Sequence, residues 1–299
     1  MQPRYIVISS DEHMPPSMNR GAWASRPNIV GDVERSMEEI HTWCEKHSSE
    51  GVVRISPGDT LDSFEPEPDR LSWLAGYFKK HLEVCQAYYY IQGQHDRVIR
   101  CPETPWLSVI CDNPKMVYAH KKVVYIAGAP YVFHDNTTPS QLMDFLLKAT
   151  VELSSATLIS HQLWYPWLPA NRVVPSLKAM PPQITRVISG DYHVQKDELN
   201  LVTDAGYNLE AYSVGPLTIQ DVSEPTSCRF LVIDTTDNVV RTVPLTCRKV
   251  YRFDVQTEEG LDEFVRQIAT LPLITDPTSI DMPIVKVRYL TSIEYATSR

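Results

Sequence analysis

Five times in the first two-thirds of the chain, a short apolar run rich in β-branched or aromatic residues stops at a polar cluster. Arg4–Ser9 (RYIVIS) runs into Asp11-Glu12-His13, and Gly51–Ser56 (GVVRIS) into Gly58-Asp59. Ala87–Ile91 (AYYYI) leads to Gly93-Gln94-His95-Asp96, Thr157–Ile159 to Ser160-His161, and Gln183–Ile188 to Gly190-Asp191-Tyr192-His193. The intervals have a helical period. Asp32–His47 carries Val33, Met37, Ile40 and Trp43 at helical spacing, with Asp32 as its expected N-cap. Arg70–Cys85 and Ser140–Leu153 have the same character, and Lys122–Ala127 is a further strand-like run. Strands alternating with helices imply an α/β layered fold. Each polar cluster falls just beyond the carboxyl end of an expected strand, the edge at which open α/β sheets bind ligands.

From about Leu209 the rhythm changes. Ala211–Val214, Arg229–Asp234, Val239–Pro244 and Lys249–Val255 are strand-like with no long helix between them, and a helix, Glu258–Ala269, and a strand, Ile284–Tyr289, follow. The sheet is therefore expected to finish near residue 238. This gives a main α/β domain over 1–238 and a small α+β domain over 239–299. There is no internal repeat and no low-complexity tract.

Bulk properties narrow the function classes. The chain has 299 residues, 43% of them hydrophobic and 22% charged, the composition of a soluble globular protein. Its six cysteines form no C-x-x-C pair, so a structural zinc site is not expected, and scattered thiols fit a reducing, cytoplasmic location. No apolar run is long enough to span a membrane, and Met1–Ser10 does not read as a signal peptide. The net charge of −9 argues against a stand-alone, tight nucleic-acid binder, because affinity for phosphates rests on a basic face. Lys121, Lys122, Arg172, Lys178, Arg186 and Lys196 are the candidates for a local basic strip, with solvated surface charge an equal alternative.

Taken singly, a D-x-H at a strand end is weak, since a capped turn with a solvated histidine looks the same. Taken as an ordered set, the clusters offer hard oxygen and borderline nitrogen donors, which suit Mn²⁺, Fe, Zn²⁺ or Mg²⁺. Two such ions about 3.5–4 Å apart, bridged by a carboxylate, can clamp a phosphoryl group and activate a water.

The order Asp11-x-His13, Gly58-Asp59-x-x-Asp62, Gly93-Gln94-His95-Asp96, His161, Gly190-Asp191-x-His193 resembles the signature of calcineurin-like metallophosphoesterases. The resemblance implies a four-layer sandwich, two sheets flanked by helices, with a small C-terminal cap. It implies two divalent ions, Mn²⁺ first among them. Asp11, His13 and His193 would hold one ion, Gln94, His161 and Asp191 the other, and Asp59 would bridge them. His95 would face the scissile phosphate rather than serve mainly as a ligand, with Asp96 orienting its imidazole, and Asp62 would stand behind the ligands. Two positions depart from the family pattern. Gln94 replaces its usual Asn and Asp191 the first His of its last motif, so the second ion would meet a longer amide and an added negative charge, which favours harder cations.

Within that family the chain resembles the SbcD-type DNA repair nucleases. The residues concerned are Thr157–Gln162 (TLISHQ), Ala211–Glu224 (AYSVGPLTIQDVSE), Arg229–Asp234 (RFLVID) and Arg248–Val255 (RKVYRFDV). That resemblance implies a two-metal-activated water attacking the DNA backbone phosphate. It also implies an SbcC-like SMC-type ATPase as partner, and a homodimer. The partner's docking helices would follow the cap, yet the sequence stops at Arg299, soon after the expected last strand. Two other readings stand beside it: a phosphatase or phosphodiesterase acting on small molecules or phosphoproteins, and a non-catalytic scaffold whose second ion site has decayed. His41, His47 and His81 are expected within helical segments, at the surface or partly buried, and Trp164 and Trp167 in a packed loop.

Overall fold

The computed structural model describes residues 1–14, 29–63, 65–98, 101–168, 172–219, 227–255, 258–271 and 283–289. In chain order its first half runs β1 (Tyr5–Ile8), α1 (Ile29–Lys46), β2 (Val52–Ser56), α2 (Pro68–Val84), β3 (Ala87–Tyr90), β4 (Arg97–Val98), β5 (Cys101–Pro105), α3 (Trp106–Ile110), β6 (Met116–Tyr118), β7 (Lys122–Ile126), β8 (Ala129–His134) and α4 (Pro139–Ala149). The second half runs β9 (Ala156–His161), β10 (Ile184–Gly190), β11 (Lys196–Val202), β12 (Asn208–Ser213), β13 (Cys228–Asp234), β14 (Val239–Leu245), β15 (Val250–Val255), α5 (Glu258–Ile268) and β16 (Ile284–Tyr289).

These elements build a mixed α/β protein with two six-stranded sheets, ordered β14-β13-β1-β2-β3-β6 and β11-β12-β10-β9-β8-β7. In the first, β1, β2 and β3 run parallel, with Ile6 opposite Val53 and Ile55 opposite Tyr89. In the second, β8, β9, β10 and β12 run parallel. Strand alternation sorts the side chains by face. Ile6, Ile8, Val53, Ile55, Leu231 and Ile233 of the first sheet share an apolar layer with Phe133, Ile159, Ile188 and Tyr212 of the second. Val7, Val52, Phe230 and Val232 face the other way and pack with Val33, Met37, Ile40, Leu74 and Phe78 of α1 and α2. Leu142 and Leu146 of α4 pack with Val132, Leu158 and Val187, and Trp164 and Trp167 lie buried in that same cluster. Each fully buried aliphatic side chain of these layers stabilises the fold by about 1.5–3 kcal/mol relative to its exposed state.

Several expectations are revised. The first sheet does not end near residue 238, because β14 returns as a hairpin on β13, from Asp234 opposite Val239 to Cys228 opposite Leu245. Among the described residues, two small pairs stand outside the two large sheets: β4 with β5, antiparallel, and β15 with β16, parallel, with α5 against β15. Helix α1 begins at Ile29, so Asp32 is inside its first turn rather than at its N-cap; its carboxylate meets the Arg248 Nε at 2.5 Å. His41 and His81 are not on helix surfaces but are buried at 3% and 0% exposure. Arg186 is buried and committed to Glu210 at 2.7 Å and to Asn238, which withdraws it from any basic strip. Glu224, residues 272–282 and residues 290–299 lie outside the described residues. No helix among the described residues is long and apolar enough to cross a membrane.

Candidate metal centre

The carboxyl ends of β1, β2, β3, β9 and β10 meet at one place, so five segments far apart in sequence deliver their polar residues together. Beyond β1 and β2 the chain continues as a zipper. Asp11 N–H donates to Gly58 O at 3.0 Å, His13 N–H to Asp59 O at 3.0 Å, and Met14 N–H to Thr60 O at 2.9 Å. This pairing holds Asp11, His13 and Asp59 at positive φ (54°, 44° and 56°), and Asp191 joins them at 75°. Such conformations are uncommon for residues other than glycine and gather at functional sites.

Asp59 is the hub. It is fully buried, and its Oδ1 accepts from the His95 N–H at 2.9 Å. Its Oδ2 has no hydrogen-bond partner, although His161 Nε2 stands 3.2 Å away and His13 Nε2 3.8 Å away. Donor atoms of Asp11, His13 and His193 lie within 4.8 Å of one another, and so do those of Asp11, Asp59 and His161, and of His13, Asp59 and His95. His13 Nε2 and His193 Nε2 are 3.1 Å apart, two ring nitrogens turned on one spot. The other nitrogen of each central histidine is tied down behind it. His13 Nδ1 donates to Asp62 at 3.1 Å, and His161 Nδ1 donates to the Pro57 carbonyl at 2.8 Å. Such rear contacts fix the tautomer and aim the free nitrogen, as they do for metal-binding imidazoles.

Gln94 closes the other side. Its Oε1 is 3.0 Å from His161 Nε2 and its Nε2 donates to Asp191 Oδ1 at 2.9 Å. Asp191 Oδ1 is 3.8 Å from His161 Nε2, and the Asp191 N–H donates to Asp11 at 3.0 Å. All seven residues expected to ligate ions are thus brought together. His95, expected not to serve mainly as a ligand, brings a ring nitrogen within 4.8 Å of donor atoms of Asp59 and His13; its ring centroid is 5.3 Å from that of His13.

Asp96 has a different task from the one expected. Rather than orienting the His95 imidazole, its carboxylate accepts the backbone N–H of Asp59 at 2.6 Å, Gly93 at 3.0 Å and Leu61 at 3.0 Å. It ties the second and third motifs together. Gly93 makes that contact possible, for a Cβ there would lie 1.9 Å from Asp59 Oδ1 and 2.6 Å from its backbone nitrogen.

The electrostatics follow from crowding carboxylates in a buried place. Burial alone would lower the His13 pKa, but the Asp62 hydrogen bond and the charges of Asp59 and Asp11 outweigh it and raise it to about 9. Burial likewise opposes the charge on His161, and Asp59 beside it raises the pKa to about 10. Burial would raise Asp59, yet the neighbouring histidines hold it well below the usual carboxylate range. Asp191 is raised, by burial first. Three carboxylates around one point demand positive charge. A buried carboxylate oxygen without a hydrogen-bond partner, set among imidazole nitrogens, fits divalent cations.

Two further residues contribute, one outside every motif and one at a variable position within the first. Asn136 turns its Nδ2 to Gln94 Oε1 at 3.5 Å and Asp191 Oδ2 at 3.4 Å. The signal for it is a sixth strand end, β8, which Pro130 disguises as a loop. Glu12, between two expected ligands, points away from them and accepts from Ser9 Oγ at 2.9 Å and Thr60 Oγ1 at 3.2 Å, bracing the first motif on the second.

No family model matches the chain, and no curated protein matches it. Among solved structures, one known from crystallography aligns with a TM-score of 0.51 at 11% identity, covering 82% of this chain and 100% of that one. Another, described as a novel archaeal phosphodiesterase, aligns with a TM-score of 0.41 at 14% identity over 81% of this chain and 99% of that one. The first is a likeness of fold.

Proposed function

We propose that this chain is a metal-dependent phosphoesterase of the calcineurin-like kind, in the four-layer arrangement its motifs imply, and that it hydrolyses the phosphodiester backbone of DNA in the manner of SbcD-type nucleases. The observation that carries this reading is Asp59 Oδ2, a buried carboxylate oxygen with no hydrogen-bond partner, in a residue that belongs to two of the three-donor groups. An oxygen so placed is suited to bridge cations. Asp11, His13 and His193 would hold one ion and Gln94, His161 and Asp191 the other, with Mn²⁺ favoured by the mixture of carboxylate, amide and imidazole donors. Two bound cations supply charge neutralisation for a phosphoryl group and a nucleophilic water at neutral pH.

The rest of the chemistry belongs to the chain. His95, half-buried beside His13, is positioned through its backbone N–H on Asp59, and its ring can stabilise charge on the phosphate or protonate the leaving oxygen. Asp96 is a positioning residue, acting through the loops it pins. The SbcD-type stretches support DNA as substrate, and an SbcC-like ATPase and a second copy of the chain are the partners this reading includes. A small phosphodiester is the second reading, favoured by the net charge of −9 and by the burial of Arg186.

The test compares Mn²⁺-dependent hydrolysis of linear DNA, bis-p-nitrophenyl phosphate and p-nitrophenyl phosphate. DNA degradation that disappears in Asp59→Ala and His95→Ala is the expected result. Hydrolysis of the bis-ester without DNA degradation selects the second reading. A folded protein inert with every substrate and metal overturns both.

A further inference from the structure

Helices α1 and α2 enclose a second group of donors, independent of the site above. His41 and Cys44 stand one turn apart on α1, and His81 and Cys85 one turn apart at the end of α2. The helices are in contact there, with Tyr77 Oη donating to the Met37 carbonyl at 3.1 Å. All four residues are buried, His81 and Cys44 at 0% exposure. Donor atoms of Cys44, His81 and Cys85 lie within 4.8 Å of one another. Cys85 Sγ is 3.4 Å from His81 Nε2, and His81 Nδ1 is 3.2 Å from His41 Nδ1.

Three features of this pocket fit a metal better than a plain thiol core. First, the spacing is right. Bond lengths of about 2.3 Å to sulfur and 2.0–2.1 Å to nitrogen set the sulfur–nitrogen edge of a tetrahedral zinc site at roughly 3.5 Å, and the observed cysteine–histidine separation is 3.4 Å. Second, a metal-bound imidazole donates its remaining N–H to a nearby acceptor, and His41 stands at that nitrogen. Third, the Arg54 guanidinium, whose Nη2 donates to Ser9 Oγ at 2.5 Å, stands close enough to Cys44 to favour its thiolate, while its Nε and Nη1 are buried with no oxygen or nitrogen acceptor. A buried cation with idle donors calls for anionic acceptors. Metal-bound thiolates are anionic acceptors, and two of them neutralise a divalent ion. The donors sit on helices at i,i+3 and i,i+4 rather than in knuckle loops, which is why no C-x-x-C spacing announces them.

We propose that Cys44, His81 and Cys85 bind a thiophilic metal ion, zinc, that clasps α1 to α2, with His41 holding the His81 ring in place. Two thiolates and an imidazole select soft ions, whereas the centre at the strand ends is rich in oxygen. The two sites are therefore separable by spectroscopy.

The experiment is anaerobic titration with Co²⁺ of the reduced wild-type chain and of Asp59→Ala, read by the thiolate-to-cobalt charge-transfer band in the near ultraviolet. Oxygen and imidazole donors cannot produce that band. The expected result is a band of the same final intensity in both proteins, that of one thiolate-bound cobalt per chain, which is displaced by Zn²⁺ and is lost in Cys85→Ser and in Cys44→Ala variants that circular dichroism shows to be folded. Absence of the band in the folded wild-type chain overturns the proposal even if no cysteine variant folds. A band that survives Cys85→Ser also overturns it and points to Cys228 and Cys247, the other neighbouring pair. A Cys44–Cys85 disulfide in protein purified under reductant, two hydrogens lighter in mass, overturns it as well.

Discussion

At the scale of single residues, the site depends on small groups that keep larger ones in place. Gly93 leaves room for Asp59, whose Oδ1 would meet a Cβ at 1.9 Å. Because backbone as well as side chain is in the way, Gly93→Ala must displace Asp59. We expect about 10–100-fold weaker Mn²⁺ binding, as is usual when groups supporting metal ligands are disturbed, with the fold retained; calorimetric titration measures it, and unchanged affinity would contradict the geometry. Asn136→Ala is narrower in effect. It removes a donor from Gln94 and Asp191 only, so the second ion should weaken by about 10-fold while the first binds as before. Equal weakening of both ions would show that Asn136 does not act through Gln94 and Asp191. These two residues also mark the limit of motif reading. Gly93 lies in a motif, but the need for it comes from Asp59, 34 positions earlier in the chain. Asn136 lies in none.

At the scale of elements, the passage from β14 to β15 is anchored by Arg248, buried against Asp32 in the first turn of α1. Removing Arg248 leaves the buried Asp32 carboxylate with Arg35, 3.1 Å from its Oδ1, as its remaining ion-pair partner. Arg248→Ala should therefore cost about 3 kcal/mol, the lower end of the range for a broken buried pair, in denaturant unfolding, and the double variant with Asp32→Leu should recover part of it. A cost under about 1 kcal/mol, the range of a surface pair, would mean that the pair is hydrated in solution. Element existence was largely legible, because β1, β2, β3, β9, β10 and β13 are short apolar runs whose burial follows from their own composition. Two strands that local composition hides are polar or carry proline: Lys196–Val202 is an exposed strand paired on one side only, and Ala129–His134 begins with Ala-Pro; a third, Met116–Tyr118, is only three residues long. Edge position and pairing, not intrinsic preference, make them strands.

At the scale of the whole molecule, buried histidines make stability depend on pH. Burial lowers the His134 pKa from 6.5 to about 4, and it lowers His41 and His81 as well. The unfolded chain then binds more protons than the folded one between those values. The contribution of these three histidines is fully present above pH 6.5 and is lost as pH falls toward 4, whereas that of His13 and His161, raised to about 9 and about 10, is lost as pH rises toward those values. Unfolding temperatures should decline across that window, and His134→Phe should decline less steeply than wild type. Equal slopes would show that His134 does not titrate on unfolding.

The sequence by itself determined the α/β class and the set of polar residues at strand ends, because apolar periodicity and strand termination are written in neighbouring residues. It also determined which donors could gather, since each motif follows its own strand. Tertiary structure alone decided what those donors do. It placed Asp59 at the hub, turned Asp96 from the His95 ring to three backbone amides, added β14 to the first sheet, buried Arg186, and brought His41 and Cys44 against His81 and Cys85. Each of these depends on register and packing between segments distant in the chain, and a contact of that kind has no local signature.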